Sequence, residues 1–131
     1  MKVNILTLCD FAQDNNGKLT VVGIYDLIVT KKVPFTKSLF FVARICFAPE
    51  DTGKKYEVKI DIQSQKNQTP LIAPIANEFS IETSDKDVYC NLIFELGRFA
   101  FPTDGIYNFK LKVDDKVYTT SLNVKLQNQN S

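Results

Sequence analysis

The sequence predicts an all-β protein, an antiparallel β-sandwich of about seven to nine strands that is immunoglobulin-like or jelly-roll-like. Apolar and polar residues alternate along most of the chain, and helical periodicity is nearly absent. Turn residues recur about every ten positions, a spacing typical of sandwiches and barrels. Since 131 residues suit one domain, we expect a single domain over residues 1–126 and a disordered polar tail over residues 127–131.

The first half of the chain contains four predicted strands separated by turn residues. Residues 14–17, DNNG, form a hairpin turn, because these residue types tolerate a positive φ. Pro34 lies in a connection, because proline cannot donate to a sheet ladder. The fourth strand alternates cleanly and therefore has one wet face. The four strands cover residues 2–12, 18–28, 38–47 and 54–63.

The second half of the chain contains a less regular segment and then the most specific motif. Pro74 interrupts an apolar run, which indicates an edge strand or an extended covering segment before a short strand at residues 79–82. The stretch 101–109, FPTDGIYNF, is typical of the corner before the penultimate strand of immunoglobulin-like sandwiches. We expect Gly105 to supply the φ of this corner and the Tyr107 hydroxyl to bond back to its backbone. The last three strands cover residues 88–95, 106–113 and 116–126.

Composition excludes several classes of site. The chain has no histidine, which removes Ser-His-Asp and Cys-His catalysis and every histidine-containing zinc site. We therefore predict no catalytic residue, no metal and no cofactor. The net charge is +1, and the sequence has neither a basic stripe nor a long apolar run, so we expect neither nucleic acid nor a membrane as partner. The three cysteines have no CxxC spacing, and the sequence shows no secretion signal. Both observations favour reduced thiols and a cytoplasmic location. The cysteines are Cys9, Cys46 and Cys90.

The first hairpin is apolar on both faces, unlike a sheet with one solvated face. A turn at residues 15–16 would pair Leu8 with Gly23 and put apolar side chains on both sides. Something must therefore cover the second face: the segment 71–76, another copy of the chain, or a ligand. The candidate interface residues are Leu6, Leu8, Val21 and Tyr25.

Three charged residues interrupt apolar strands and form a candidate polar site: Asp10, Asp26 and Arg44. The alternative is placement at a sheet edge or bonding to turn backbone, because a buried charge needs a partner. The hairpin register puts the two aspartates on opposite faces, so they cannot act as an acid–base pair unless a bulge changes the register.

These observations favour a non-enzymatic cytoplasmic binding or adaptor module that self-associates, or binds a protein partner, through an apolar sheet face. One alternative is a carrier of a small apolar ligand. A less favoured alternative is a carboxylate-based hydrolase or isomerase. The carrier would hold its ligand among Phe40, Phe41, Phe94, Phe99 and Phe101.

Three groups of motifs carry a resemblance. They are LCDFA at residues 8–12 with NGKL at 16–19, then GIYD at 23–26, and finally FPTDGIY at 101–107. Their order resembles the pattern LCDxA…NGKL…GIxD…FPxxGxY of small uncharacterised bacterial single-domain proteins that carry a domain-of-unknown-function label. The resemblance implies a bacterial single-domain β protein, and it carries no activity or functional residue.

Overall fold

The computed structural model describes residues 1–66 and 70–127. Two β-sheets pack face to face within this part of the chain, which confirms the all-β sandwich. One 3-10 turn, Pro49–Asp51, lies in the predicted turn region between the third and fourth predicted strands. The strands are β1 (Lys2–Asn15), β2 (Lys18–Ile24), β3 (Leu27–Thr30), β4 (Phe35–Phe47), β5 (Lys54–Ser64), β6 (Ile75–Ile81), β7 (Val88–Phe101), β8 (Gly105–Val113) and β9 (Lys116–Leu126).

The four-stranded sheet has the order β2-β1-β4-β7, and the five-stranded sheet has the order β3-β9-β8-β5-β6. Every strand pair is antiparallel except β3 and β9, which run parallel. The five-stranded sheet is therefore mixed, whereas the sequence predicted only antiparallel pairing.

The single strand predicted over residues 18–28 is wrong, because β2 and β3 belong to different sheets. Tyr25 and Asp26 lie between them and carry the chain from one layer to the other. The Asp26 carbonyl accepts a hydrogen bond from the Asn123 backbone at 2.9 Å, where the parallel pairing with β9 begins. A segment that crosses between the two sheets buries side chains before and after the crossing. Its sequence therefore looks like one continuous apolar strand.

The alternation in β5 places its side chains as predicted. Val58, Ile60 and Ile62 are buried in the core, while Glu57 and Lys59 are exposed. β8 pairs with β5 and repeats the pattern. Period-2 burial on two neighbouring strands gives the five-stranded sheet one apolar inner face and one polar outer face.

The corner before β8 has the predicted geometry. Tyr107 is fully buried, and its hydroxyl donates to the Thr103 carbonyl at 2.6 Å. The Thr103 backbone N–H in turn donates to the hydroxyl at 3.2 Å. Gly105 has φ +124°, a conformation that a side chain would strain. The phenol thus satisfies two backbone groups of the corner within the aromatic core.

The segment around Pro74 leads into an edge strand, which is one of its two predicted forms. β6 pairs with β5 at the end of the sheet. Leu71 and Ile72, just before it, pack against the main core instead of covering the first hairpin. At the C-terminus, the backbone N–H of Gln127 donates to the Thr30 carbonyl at 2.7 Å. The rest of the predicted tail, residues 128–131, lies outside the described residues.

Candidate binding surface

The two halves of β1 have different partners. Residues 2–9 pair with β4, and residues 9–15 pair with β2. We call residues 10–24, the far half of β1 with the turn and β2, the hairpin cover.

The hairpin cover bends back over the outer face of the four-stranded sheet. Its turn carbonyl, Gly17 O, accepts hydrogen bonds from the Arg44 guanidinium at 3.1 Å and the Asn91 amide at 3.3 Å. Arg44 and Asn91 are cross-strand partners within β4 and β7. Since Cys9 already pairs with Phe40, near the start of β4, a straight hairpin would carry the turn away from Arg44. The hairpin must therefore fold back.

Local sequence explains the shape of the turn. Asn16 and Gly17 have φ +54° and +84°, the combination of a type I′ two-residue turn. The Gly17 N–H donates to the Asp14 carboxylate at 2.8 Å.

The observed register pairs Ala12 with Val21, a shift of two residues from the register of a turn at residues 15–16. The shift keeps the parity of the cross-strand partners. However, β1 loses its alternation at the unpaired Asp10, so Cys9 and Ala12 pack on the same side instead of on the opposite faces predicted.

A glycine opposite Asp10 accompanies the bend. The register of β1 and β2 omits a pair at Asp10 and Gly23, and Gly23 has φ +71°. A Cβ at Gly23 would collide with the Asp10 carboxylate. Asp10 also forms a salt bridge of 3.1 Å with Lys37, whose ammonium lies 5.1 Å from the centre of the Tyr25 ring. Glycine thus permits both the backbone conformation and the close approach.

The inner side of the hairpin cover builds a second apolar cluster. Cys9 and Val42 are fully buried, and Ala12 is 5% exposed. The cluster is separate from the main core between the sheets. Burial raises the pKa of the Cys9 thiol, which favours its neutral form. The partly buried residues around the cluster are Leu19, Val21, Phe40 and Ile93.

The other side of the hairpin cover exposes apolar side chains. Phe11, Val22 and Ile24 are 45%, 52% and 66% exposed. Phe11 and Val22 are direct cross-strand partners, and the Phe11 ring contacts the Phe40 ring edge-on at 5.7 Å. We call Phe11, Val22 and Ile24 the hairpin patch. Because β2 ends its sheet, its free edge lies beside the patch and leaves backbone groups open to a further strand.

Of the four predicted interface residues, one is buried in this chain and three are half-buried against its own clusters. Leu8 is 2% exposed in the main core, and Leu6 and Tyr25 pack against that core. Val21 packs in the second cluster. The predicted cover therefore exists, but the hairpin itself supplies it. Sequence reasoning identified the apolar excess and missed the hairpin patch, because exposure depends on the bend.

The three predicted polar residues do not gather into one site. Asp10 forms its salt bridge with Lys37. The Asp26 side chain is exposed, and Asp26 contacts Asn123 through its backbone carbonyl. Arg44 donates to the Asn91 side chain at 2.7 Å as well as to Gly17. None of these recorded contacts joins two of the three residues, so the arrangement favours structural roles.

Arg44 anchors the turn and also stacks on an exposed aromatic ring. Its guanidinium carbon lies 4.7 Å from the centre of the Tyr89 ring. The thiol of its cross-strand partner Cys46 raises the pKa of Tyr89. Burial, with the nearby Asp10 charge, also raises the pKa of Tyr25. Both phenols are therefore protonated near neutral pH.

The phenylalanines proposed to hold an apolar ligand pack against each other. Phe99 and Phe101 have ring centroids 4.8 Å apart, and Phe41 lies 5.8 Å from Phe109. The space beside Phe41 and Phe94 is too small to admit a water molecule. This part of the interior has no room for a ligand.

The described part of the chain brings together no group of three or more Cys, Asp or Glu side chains that could hold a metal ion. Within the same residues, we find no helix with the length and apolarity needed to cross a membrane.

The fold and the hairpin cover define a class, a small β-sandwich whose first hairpin shields one sheet and exposes an apolar patch. The chain belongs to a family of unknown function (DUF6941), whose model matches residues 4–125. This confirms the expected membership of a domain-of-unknown-function family. Comparisons with curated proteins and with solved structures gave no match.

Proposed function

We propose that this chain is a non-enzymatic binding or adaptor module that self-associates through the hairpin patch. The observation that supports the proposal is the exposure of Phe11, Val22 and Ile24 together on one hairpin. Isolated apolar side chains are normal on protein surfaces, but neighbouring ones mark interaction sites. The lack of histidine in the chain also favours binding over catalysis.

The free edge of β2 favours a second copy of the chain as the partner. Two antiparallel copies of β2 would form an isologous contact, the kind found in two-fold dimers. Backbone hydrogen bonds would then add to the burial of the patch. A standard interface buries about 800 Å² on each partner, which exceeds what three side chains expose, so the β2 edge is a necessary part of this interface.

Matched lysine substitutions test the proposal. Val22 is 52% exposed in the hairpin patch, and Val117 is 55% exposed on β9. Sedimentation equilibrium over a concentration series should show a dimer for the wild type. Val22→Lys should shift the chain to monomer, because it places two like charges in the contact, whereas Val117→Lys should leave the dimer intact.

Two outcomes would overturn the proposal. A wild type that stays monomeric throughout the concentration series rules out self-association. A dimer that survives Val22→Lys and Ile24→Lys together places the contact elsewhere. Circular dichroism of each variant checks that loss of the dimer does not reflect unfolding.

Further proposals concern the type of sandwich and the location of the protein. The parallel pairing of β3 with β9 and the Tyr107 corner support the immunoglobulin-like form over the jelly roll. Three free cysteines support a cytoplasmic location. A bacterial origin is supported by the motif resemblance.

A further inference from the structure

A cleft of about 470 Å³ lies on the outer face of the five-stranded sheet, far in the fold from the hairpin cover. One row of cross-strand partners crosses it from β6 to β9, in the order Ala76, Lys59, Lys112 and Val117. Pro74 adds to the apolar lining beside Ala76. Small-molecule pockets measure about 300–1,000 Å³, so the cleft has the size of a ligand site.

Two lysines stand directly opposite each other in this row. Like charges in a direct cross-strand pair repel, which destabilises the sheet. Lys110 lines the same cleft, and its ammonium donates to the Gln63 side chain at 3.3 Å. Among the described residues, no salt bridge joins Lys59, Lys110 or Lys112 to a carboxylate. An anion bound between the lysines would relieve this repulsion.

Asp61, the cross-strand partner of Lys110, adds a buried acceptor to the cleft. Its Oδ2 accepts from the Gln63 amide at 2.9 Å. Its Oδ1 is buried and has no hydrogen-bond partner among the described residues. A buried acceptor favours a ligand that brings a donor.

The neighbouring row limits where the anion can lie. Glu57 and Glu78 are direct cross-strand partners one row beyond Lys59. Their negative charges disfavour an anion on that side, and the Asp61 carboxylate disfavours one beside Lys110, so the anionic group lies between Lys59 and Lys112.

From these four observations we infer that the cleft binds a small organic carboxylate with an apolar body and a hydroxyl next to the carboxylate. Lys59 and Lys112 hold the carboxylate, and Val117 and Ala76 contact the apolar body. The Asp61 carboxylate turns its Oδ1, which is buried in this structure, toward the cleft and accepts a hydrogen bond from the hydroxyl. The site shares no residue with the hairpin patch, so the tests of this inference do not depend on whether the chain self-associates.

Titrations followed by amide chemical shifts test the inference with three probes: 2-hydroxyoctanoate, octanoate and 1-octanol. Saturable shifts are expected at the amides of Lys59, Lys112 and Val117 with both carboxylates. Because 1-octanol has no charge, it should produce none. The double variant Lys59→Gln/Lys112→Gln should weaken carboxylate binding by at least about tenfold. The control Lys31→Gln/Lys125→Gln, which changes two other exposed lysines, should not.

Asp61→Asn tests the role of the hydroxyl. The wild type should prefer 2-hydroxyoctanoate to octanoate by roughly tenfold, and the variant should lose this preference. The inference is overturned if no carboxylate gives saturable shifts, if 1-octanol binds equally well, or if the double variant binds as the wild type does. Binding to vesicles of anionic phosphatidylglycerol without binding of free 2-hydroxyoctanoate would also overturn it, since a flat membrane cannot fill the cleft.

Discussion

The outer face of the five-stranded sheet is polar, while the outer face of the four-stranded sheet is apolar and lies under the first hairpin. Lys59 and Lys112 occupy the first face and are exposed. Phe40 and Val42 occupy the second, and Val42 is fully buried. Both faces belong to strands with similar backbone geometry, so the difference lies in the side chains.

This contrast shows how one chain makes a third layer. A strand with one wet face alternates between apolar and polar residues, whereas a strand covered on both faces does not. β1 loses the alternation because it contributes to the main core and also to the second cluster. β2 loses it because one side packs in the second cluster while the other carries the hairpin patch. An apolar excess on both faces therefore indicates a cover, but the cover can be the same hairpin.

The largest expected loss of stability comes from a substitution in the first half of β1, and a substitution in its second half should cost much less. Leu8→Ala should lower the free energy of unfolding by about 3 kcal/mol, because Leu8 is buried in the main core. Phe11→Ala, three positions on, should cost less than about 1 kcal/mol because Phe11 is partly exposed. Urea unfolding measures both values. Equal losses would contradict the division of β1 into a core half and a cover half.

The next effect compares the two outer faces directly. Val42→Ala should lower the free energy of unfolding by about 2 kcal/mol, since it leaves a gap beneath the hairpin cover. Thr119→Ala removes a β-branched side chain from the open face of β9 and should change stability by less than about 0.5 kcal/mol. A loss at Thr119 as large as that at Val42 would mean that the two faces are equally covered.

A third prediction concerns the bend. Gly23→Ala should cost about 1–2 kcal/mol, because alanine disfavours positive φ and its Cβ meets Asp10. Gly97 has φ +60° but open space around it, so Gly97→Ala should cost less. In urea unfolding, the free energy lost through Gly23→Ala should be smaller, and closer to that lost through Gly97→Ala, when Asp10 is also replaced by alanine. If Asp10→Ala leaves the cost of Gly23→Ala unchanged, contact with Asp10 does not constrain the bend.

The smallest effect is a pH dependence from the thiol beneath the hairpin cover. Burial raises the pKa of Cys9, whereas an unfolded cysteine ionises near pH 8.5. Above that pH the unfolded state loses its proton first, so stability should fall as the pH rises and stay flat below. Urea unfolding at several alkaline pH values should show a shallower fall for Cys9→Ala than for Cys46→Ala. Identical slopes would contradict burial of the Cys9 thiol.

Several features of the fold were predictable because they depend on neighbours in sequence. The hairpin turn lies within the predicted residues 14–17, although at Asn16 and Gly17 instead of residues 15–16, and Tyr107 bonds to a residue only four positions earlier. Alternation placed the side chains of β5 correctly, whereas it failed in β1, where the break at Asp10 puts Cys9 and Ala12 into one cluster. The turn, the Tyr107 bond and the faces of β5 depend on residues a few positions apart, so the local sequence pattern predicts them.

The candidate site was harder to predict, because it depends on distant contacts. Leu8 and Phe11 are both apolar residues of one strand, yet one is buried and the other contributes to the hairpin patch. Their exposure differs because Gly17 bonds to Arg44 and Asn91, residues 27 and 74 positions away. No local pattern encodes that bond.

The sequence by itself determined most of the strands, the side chains that share a face in β5 and β8, and the corner at Tyr107, since alternation and turn chemistry act over a few residues. Only the tertiary structure decided that the chain crosses between sheets at Tyr25 and Asp26, that β3 runs parallel to β9, and that the hairpin covers its own sheet. These outcomes require contacts between residues far apart in the chain, and the side chains that compete for the same apolar surface decide them together.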